Sequence, residues 1–188
     1  MSSPLINMAL VFGLVQLANK FQLDAPENTN ILRIAYASVQ LIGLATIFYI
    51  YTRIKSKKDQ TKLVYSEPKA PFSTEEPALI RTTFEEYDIG QIKTLLFQTF
   101  TGIAIIGFMH FKWGYLRPLL LQSVLGLRTL SSAPLVQVWV FGKEATGDLA
   151  RPWKAANPLG GGEPATEKEI KAKERKEEKK KISSKKTD

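Results

Sequence analysis

Residues 94–111 read TLLFQTFTGIAIIGFMHF, eighteen positions without a charge, bounded by Lys93 and Lys112. A helix needs about 20 mostly apolar residues to cross a bilayer core, with about 17 the lower limit. Core helices of soluble proteins keep a charged face over such a length, and this stretch has none. Residues 35–52, AYASVQLIGLATIFYIYT, repeat the pattern between Arg33 and Arg53. Met1 to Asn19 is uncharged as well, interrupted by Asn7, Gln16 and Asn19. It lacks the basic start and small-residue cleavage site of a signal peptide, so it reads as a retained anchor.

A fourth apolar stretch, Pro118 to Leu127, covers only ten residues between Arg117 and Arg128. That is too short for an ordinary span and fits a re-entrant helix or short crossing, with the arginines snorkelling to an interface. The expected fold class is an all-α membrane protein of three to four transmembrane or re-entrant helices, with a small cytosolic β element and a charged C-terminal tail. The spans fall at about residues 4–22, 34–52 and 91–111, with a half-span at 115–128, inside a membrane domain over 1–130 that includes the loop 53–90.

The chain carries a formal net charge of +8. Arg53, Lys55, Lys57, Lys58 and Lys62 follow the second span against one acid, Asp59, which puts that end in the cytosol by the positive-inside rule. Phe48, Tyr49 and Tyr51 form an aromatic belt there, and Phe111, Trp113 and Tyr115 do so beyond the third span, leaving His110 at the lumenal interface. Asp88, with Gln91 three residues on, reads as the start of the third helix. Thr61–Tyr65, Ala78–Thr83 and Leu135–Phe141 read as three short strands, the first two separated by Pro68, Pro71 and Pro77.

Residues 131–159 form a cytosolic strand and loop segment. Gly160, Gly161 and Gly162 then open a tail over 160–188, in which Thr166–Lys181 reads as a solvated helix held by pairs such as Glu167 with Lys171. Lys168–Lys186 holds ten basic and four acidic residues. The tail is either a solubilising extension or an arm touching phosphate on ribosomal RNA. Lys179, Lys180 and Lys181, with Arg53, Lys55, Lys57, Lys58 and Lys62, are the candidate contacts to ribosome or anionic lipid. Lys185 and Lys186 match a cytosolic dilysine retrieval signal.

No catalytic, cofactor or metal constellation is present in the sequence. The chain has no Cys and one His, which excludes thiolate chemistry and two-His metal motifs. Phe141-Gly142-Lys143-Glu144-Ala145-Thr146-Gly147-Asp148 lacks P-loop spacing and reads as a structured loop. The informative groups are polar ones inside the spans. Thr94, Gln98 and Thr101 lie at i, i+4 and i+7 on one helical face; Ser38 and Gln40 belong to the second span, Gln16 and Asn19 to the first. Such groups are costly against lipid and face either other helices or a wet groove.

The chain resembles the fungal inorganic phosphate transport proteins of the endoplasmic reticulum, also described as the third component of the SRP-independent (SND) targeting pathway. The resemblance rests on Tyr87-Asp88, Thr101-Gly102, Gly107-Phe108-Met109-His110 and the run Phe141-Gly142-Lys143-Glu144-Ala145-Thr146-Gly147-Asp148-Leu149-Ala150-Arg151-Pro152, and it covers nearly the whole chain. It implies a multi-pass protein of the endoplasmic reticulum membrane with a cytosolic tail, helping client membrane proteins into the bilayer near the Sec61 translocon and the ribosome. The family name implies a rival, phosphate uptake or maturation of phosphate transporters. A structural tether at the translocon is a third class.

Overall fold

A computed structural model describes residues 4–66, 79–153 and 165–166. Helix α1 (Pro4–Phe21) ends where Gln22 takes a positive φ of 48°. The Leu23 N–H then donates to the Ala18 carbonyl at 3.0 Å, which satisfies an orphan carbonyl as a Schellman turn does. A single 3₁₀ turn, Pro26–Asn28, leads into α2 (Thr29–Lys57), closed by Lys58 at φ 48° with Lys55 and Lys57 in its last turn. Those cations complement the negative end of the helix dipole.

Helix α3 (Phe84–Trp113) follows the strand pair described below, and α4 (Arg117–Ser132) follows α3. Pro134 holds Ala133 extended (φ −61°, ψ 130°) and restarts the chain as α5 (Pro134–Trp139). Residues 135–141, expected as a strand, therefore begin in a helix. Their alternation of Val with Leu, Gln and Trp fits either period over so few positions. Pro134 at the first helical turn and the burial of Leu135 and Val136 where α5 packs on α2 and α4 decide for the helix.

Among the described residues two helices are long and apolar enough to cross a membrane: the continuous stretch Pro26–Lys57, and α3. Only 11% and 6% of their apolar windows are buried, where the core helix of a soluble protein would be mostly covered. Met8–Phe21 is a shorter apolar helix. Hydroxyls on these helices bond back to their own turns: Thr46 Oγ1 donates to the Ile42 carbonyl at 2.8 Å, Thr94 to Gly90 at 3.2 Å and Thr99 to Leu95 at 2.8 Å. A hydroxyl satisfied in this way has no need of a partner helix.

The chain divides into two units. The first, Met1–Lys58 with Asp88–Glu144, centres on Ala18, Leu32, Leu119 and Leu120, against which Tyr36, Ile106, Leu116 and Leu121 pack. Its closest helix pair is α2 with α4. Gly43 and Gly126 lie at that contact: a Cβ on Gly126 would meet Val39 Cγ1 at 3.7 Å, and one on Gly43 would meet Leu130 Cδ2 at 3.9 Å. Both are ordinary van der Waals distances, so a methyl group at either position would pack against the neighbouring helix without displacing it.

The second unit is Asp59–Tyr87 with Ala145–Asp188. Strands β1 (Lys62–Ser66) and β2 (Leu79–Thr83) pair antiparallel, Leu63 opposite Thr82 and Tyr65 opposite Ile80. The third strand is β3 (Ala165–Thr166), pairing with β1 at Ser66 and Tyr65 to give the order β2-β1-β3. Thr166 thus belongs to a strand rather than opening a helix; residues 167–188, with Lys179, Lys180, Lys181, Lys185 and Lys186, lie outside the described residues, as do Gly160, Gly161 and Gly162.

Tyr87 organises this unit. Its ring meets Tyr65 edge-on at 5.4 Å and Trp153 at 5.6 Å, and its hydroxyl accepts from the Trp153 backbone N–H at 2.7 Å. The Arg151 guanidinium lies 4.8 Å from the Phe84 ring and 5.0 Å from that of Trp153. The resemblance-bearing run before Trp153 is a structured loop, as expected, with Gly147 at φ 56° opening a 3₁₀ turn.

The start of α3 differs from the sequence expectation. Thr83 Oγ1 accepts from the Glu86 backbone N–H at 3.3 Å, and Thr82 Oγ1 donates to the Glu86 carboxylate at 2.9 Å. The Thr-x-x-Glu capping signal is therefore Thr83 with Glu86, five residues before Asp88 with Gln91.

Candidate functional site: a polar groove between three helices

One turn into α3, Asp88 is only 1% exposed and accepts from Trp139 Nε1 at 2.8 Å. The positive end of the α3 dipole favours a carboxylate at that depth. Lys57 Nζ stands 5.6 Å from the Trp139 ring centroid. At the opposite end of α3, His110 is packed within the protein, 6% exposed. Arg33 Nε donates to His110 Nε2 at 2.9 Å, and His110 Nδ1 lies 3.1 Å from the Tyr115 carbonyl. Arginine only donates, so Nε2 must be the acceptor and the ring proton sits on Nδ1, donating to Tyr115.

Between these two anchors α3 stands further from α2 than α4 does, and a groove opens. Its volume is about 150 Å³. Helix α2 lines it with Val39, Gln40 and Gly43, α3 with Leu95, Gln98, Thr99, Gly102 and Ile103, and α4 with Gln122, Gly126, Thr129 and Leu130. Each helix contributes one glutamine and one glycine. The glycines widen the space, and no hydrogen bond joins any of the three amides to another described residue. None of the lining residues is ionisable. A site of this volume lined by free amides is roomy and polar enough for water.

Of the seven polar residues singled out in the sequence, the groove takes in Gln40 and Gln98. Thr94 and Thr101 are exposed on the outer side of α3 with Phe97, Phe108 and Phe111, and the Thr94 hydroxyl is satisfied by its own helix. Ser38 and Gln16 are exposed and outside the groove lining. Asn19 serves another contact: its Oδ1 accepts from Arg117 Nη2 at 2.7 Å, while Arg117 Nε reaches Asp24 Oδ2 at 2.5 Å. The additional groove residues are Thr99, Gln122 and Thr129. Gln122 and Ser123 are the only polar positions in Pro118–Leu127, which was the available signal for the first of them.

The bond from Arg117 holds the Asp24 carboxyl below its ordinary value of 3.8. A depressed folded-state value means that ionised Asp24 favours the fold above about pH 3.8, and that this contribution disappears as pH falls through the lowered value. Asp24→Asn should therefore leave stability in detergent unchanged in acid below that value and lower it slightly at neutral pH, because the pair is exposed. Thermal melts at both pH values check this; an equal loss at both would show that the charge is irrelevant.

Arg53, Lys55, Lys57 and Lys58 belong to the first unit, with the Arg53 guanidinium 6.0 Å from the Tyr49 ring, whereas Lys62 lies on β1 of the second unit. Among the described residues no cluster of three or more His, Asp or Glu is placed to hold a metal ion.

The described residues are mostly helical, with two long apolar helices and a polar, uncharged groove between α2, α3 and α4. The chain belongs to the phosphate transport (Pho88) family, whose model matches residues 1–186. It is 34% identical over 163 residues to SRP-independent targeting protein 3 of Saccharomyces cerevisiae, covering 86% of both chains. A homologue of that protein in Schizosaccharomyces pombe is 39% identical over 129 residues, covering 68% of this chain and 66% of the relative. An uncharacterized protein of the same yeast is 36% identical over 163 residues, 86% of this chain and 81% of the relative. No solved structure matches.

Proposed function

We propose that this protein is a multi-pass component of the endoplasmic reticulum membrane that assists SRP-independent targeting and insertion of client membrane proteins through the groove between α2, α3 and α4. The observation that carries this reading is the set of three unbonded glutamine amides, one per helix, in a groove without charge. Accessible amides without a protein partner hold water, and a hydrated groove lowers the cost of carrying a client's polar flank into the bilayer. The targeting function named for the yeast relative supports it. Arg53, Lys55, Lys57 and Lys58 at the end of α2 favour a cytosolic position for that end. On this reading the Lys-rich tail is cytosolic too, beside the Sec61 translocon and the ribosome, with ribosomal RNA or anionic lipid as its polyanionic contact.

Phosphate transport is the second reading, favoured by the family description. A multiply charged anion within a bilayer calls for Arg, Lys or helix N-termini aimed at it, and no basic side chain lines the groove. Purified protein in liposomes separates the two readings, with phosphate flux and insertion of a translated single-span client measured side by side and tag accessibility at position 57 reporting orientation. Insertion above empty liposomes without saturable phosphate flux is the expected result. Saturable flux without insertion would overturn the proposal in favour of a carrier.

A further inference from the structure

The groove offers amides, hydroxyls and backbone, but no charge. The cations nearest to it in sequence are occupied or off its wall. Arg33 is bonded to His110, Arg117 to Asp24 and Asn19, and neither Lys93 nor Arg128 contributes to the lining. Amide dipoles and a few waters solvate a serine, threonine or asparagine side chain well. They replace only part of the hydration of an ammonium or carboxylate, and no counterion is at hand.

We infer that the groove selects by charge, accepting neutral polar flanks of either composition and rejecting flanks that carry an ionised side chain of either sign. This deepens the insertion reading and rests on it. It names the substrate class as segments whose flank next to the apolar span is polar and uncharged. The selectivity resides in the identity of the three glutamines, so exchanging one for a charged residue of similar length extends acceptance to flanks of the opposite charge. Gln98, exposed at the edge of the groove, is the position where such an exchange least disturbs packing.

The test uses the full chain in liposomes and three single-span clients that differ only in the flank: Ser/Thr/Asn, the same flank with two Asp, or the same flank with two Lys. For the wild-type protein, insertion of each charged flank should fall about a hundredfold below the neutral one, the order to which the cost of one ionised group within a span converts. Gln98→Lys should recover the acidic flank and depress the basic one further, and Gln98→Glu should do the reverse. Equal insertion of all three flanks, or no recovery of the oppositely charged flank in the variants, overturns the inference and leaves the insertion reading standing. No insertion of the neutral flank above empty liposomes overturns both.

A client-free measurement guards against a variant that fails to fold. The chain has no Cys, so Thr99→Cys places a single thiol in the groove and Ser132→Cys a reference thiol at an exposed position. Relative to that reference, a neutral thiol reagent should modify position 99 about tenfold faster than anionic or cationic reagents of the same reactive class. Equal relative rates for all three reagents would contradict charge selection.

Discussion

Replacing Gln98 and Gln122 together by Leu should cut client insertion by about tenfold or more while leaving the protein folded in the membrane. On the proposed reading, each Leu removes an amide that holds water in the groove. A polar flank entering a dry groove loses hydration worth about 1–3 kcal/mol per group, and each 1.4 kcal/mol is a factor of ten. Stability tells the two roles of glutamine apart. If these amides only joined helices, their loss would strip hydrogen bonds and lower the melting temperature along with insertion. The structure shows none of them bonded to a described residue, so the double variant should melt at the wild-type temperature or above it. Unchanged insertion with lowered stability would reduce the glutamines to helix-joining groups.

The second large effect lies in the other unit. Tyr87→Ala should destabilise the three-stranded sheet and its aromatic cluster by about 3–5 kcal/mol, the range for deleting a buried aromatic ring. The ring is 5% exposed and touches Tyr65 and Trp153 edge-on, and its hydroxyl receives the Trp153 backbone N–H. Tyr87→Phe keeps the ring and strands that N–H, at a cost of about 1–3 kcal/mol. Hydrogen exchange at residues 62–66 and 79–83 reads both variants. Equal losses for Ala and Phe would mean that ring packing contributes nothing.

How far these features were legible in the sequence follows from their range along the chain. The long uncharged runs at 35–52 and 94–111 fixed the two long apolar helices, because length and absence of charge are local properties. Strands β1 and β2 were legible for the same reason: β-branched and aromatic residues bounded by prolines. Residues 135–141 were not, since seven residues of mixed apolar and polar character carry no decisive period. What settles them is packing on α2 and α4, which belong to other parts of the chain. Asp88 shows the same limit. As a residue type it suits a helix start, yet its partner Trp139 stands 51 positions away, and Thr83 with Glu86 takes the capping role.

The groove was half visible. Spacing along α3 singled out Gln98, but it could not say which flank of that residue turns inward, and Thr99 and Gly102 line the space where Thr101 does not. Gln122 sits in a stretch too short to be an ordinary span. Its role emerges once α4 is packed against α2 through Gly43 and Gly126.

The central claim is that a client's polar flank enters the space between α2, α3 and α4. A photo-crosslinking amino acid placed singly at position 99, 122 or 101, during insertion of a client with a labelled neutral flank, tests it most directly. Positions 99 and 122 line the groove and should crosslink to the flank, whereas position 101, exposed on the outer side of α3, should not. Crosslinking at 101 with none at 99 or 122 would place the client outside the groove and contradict the account.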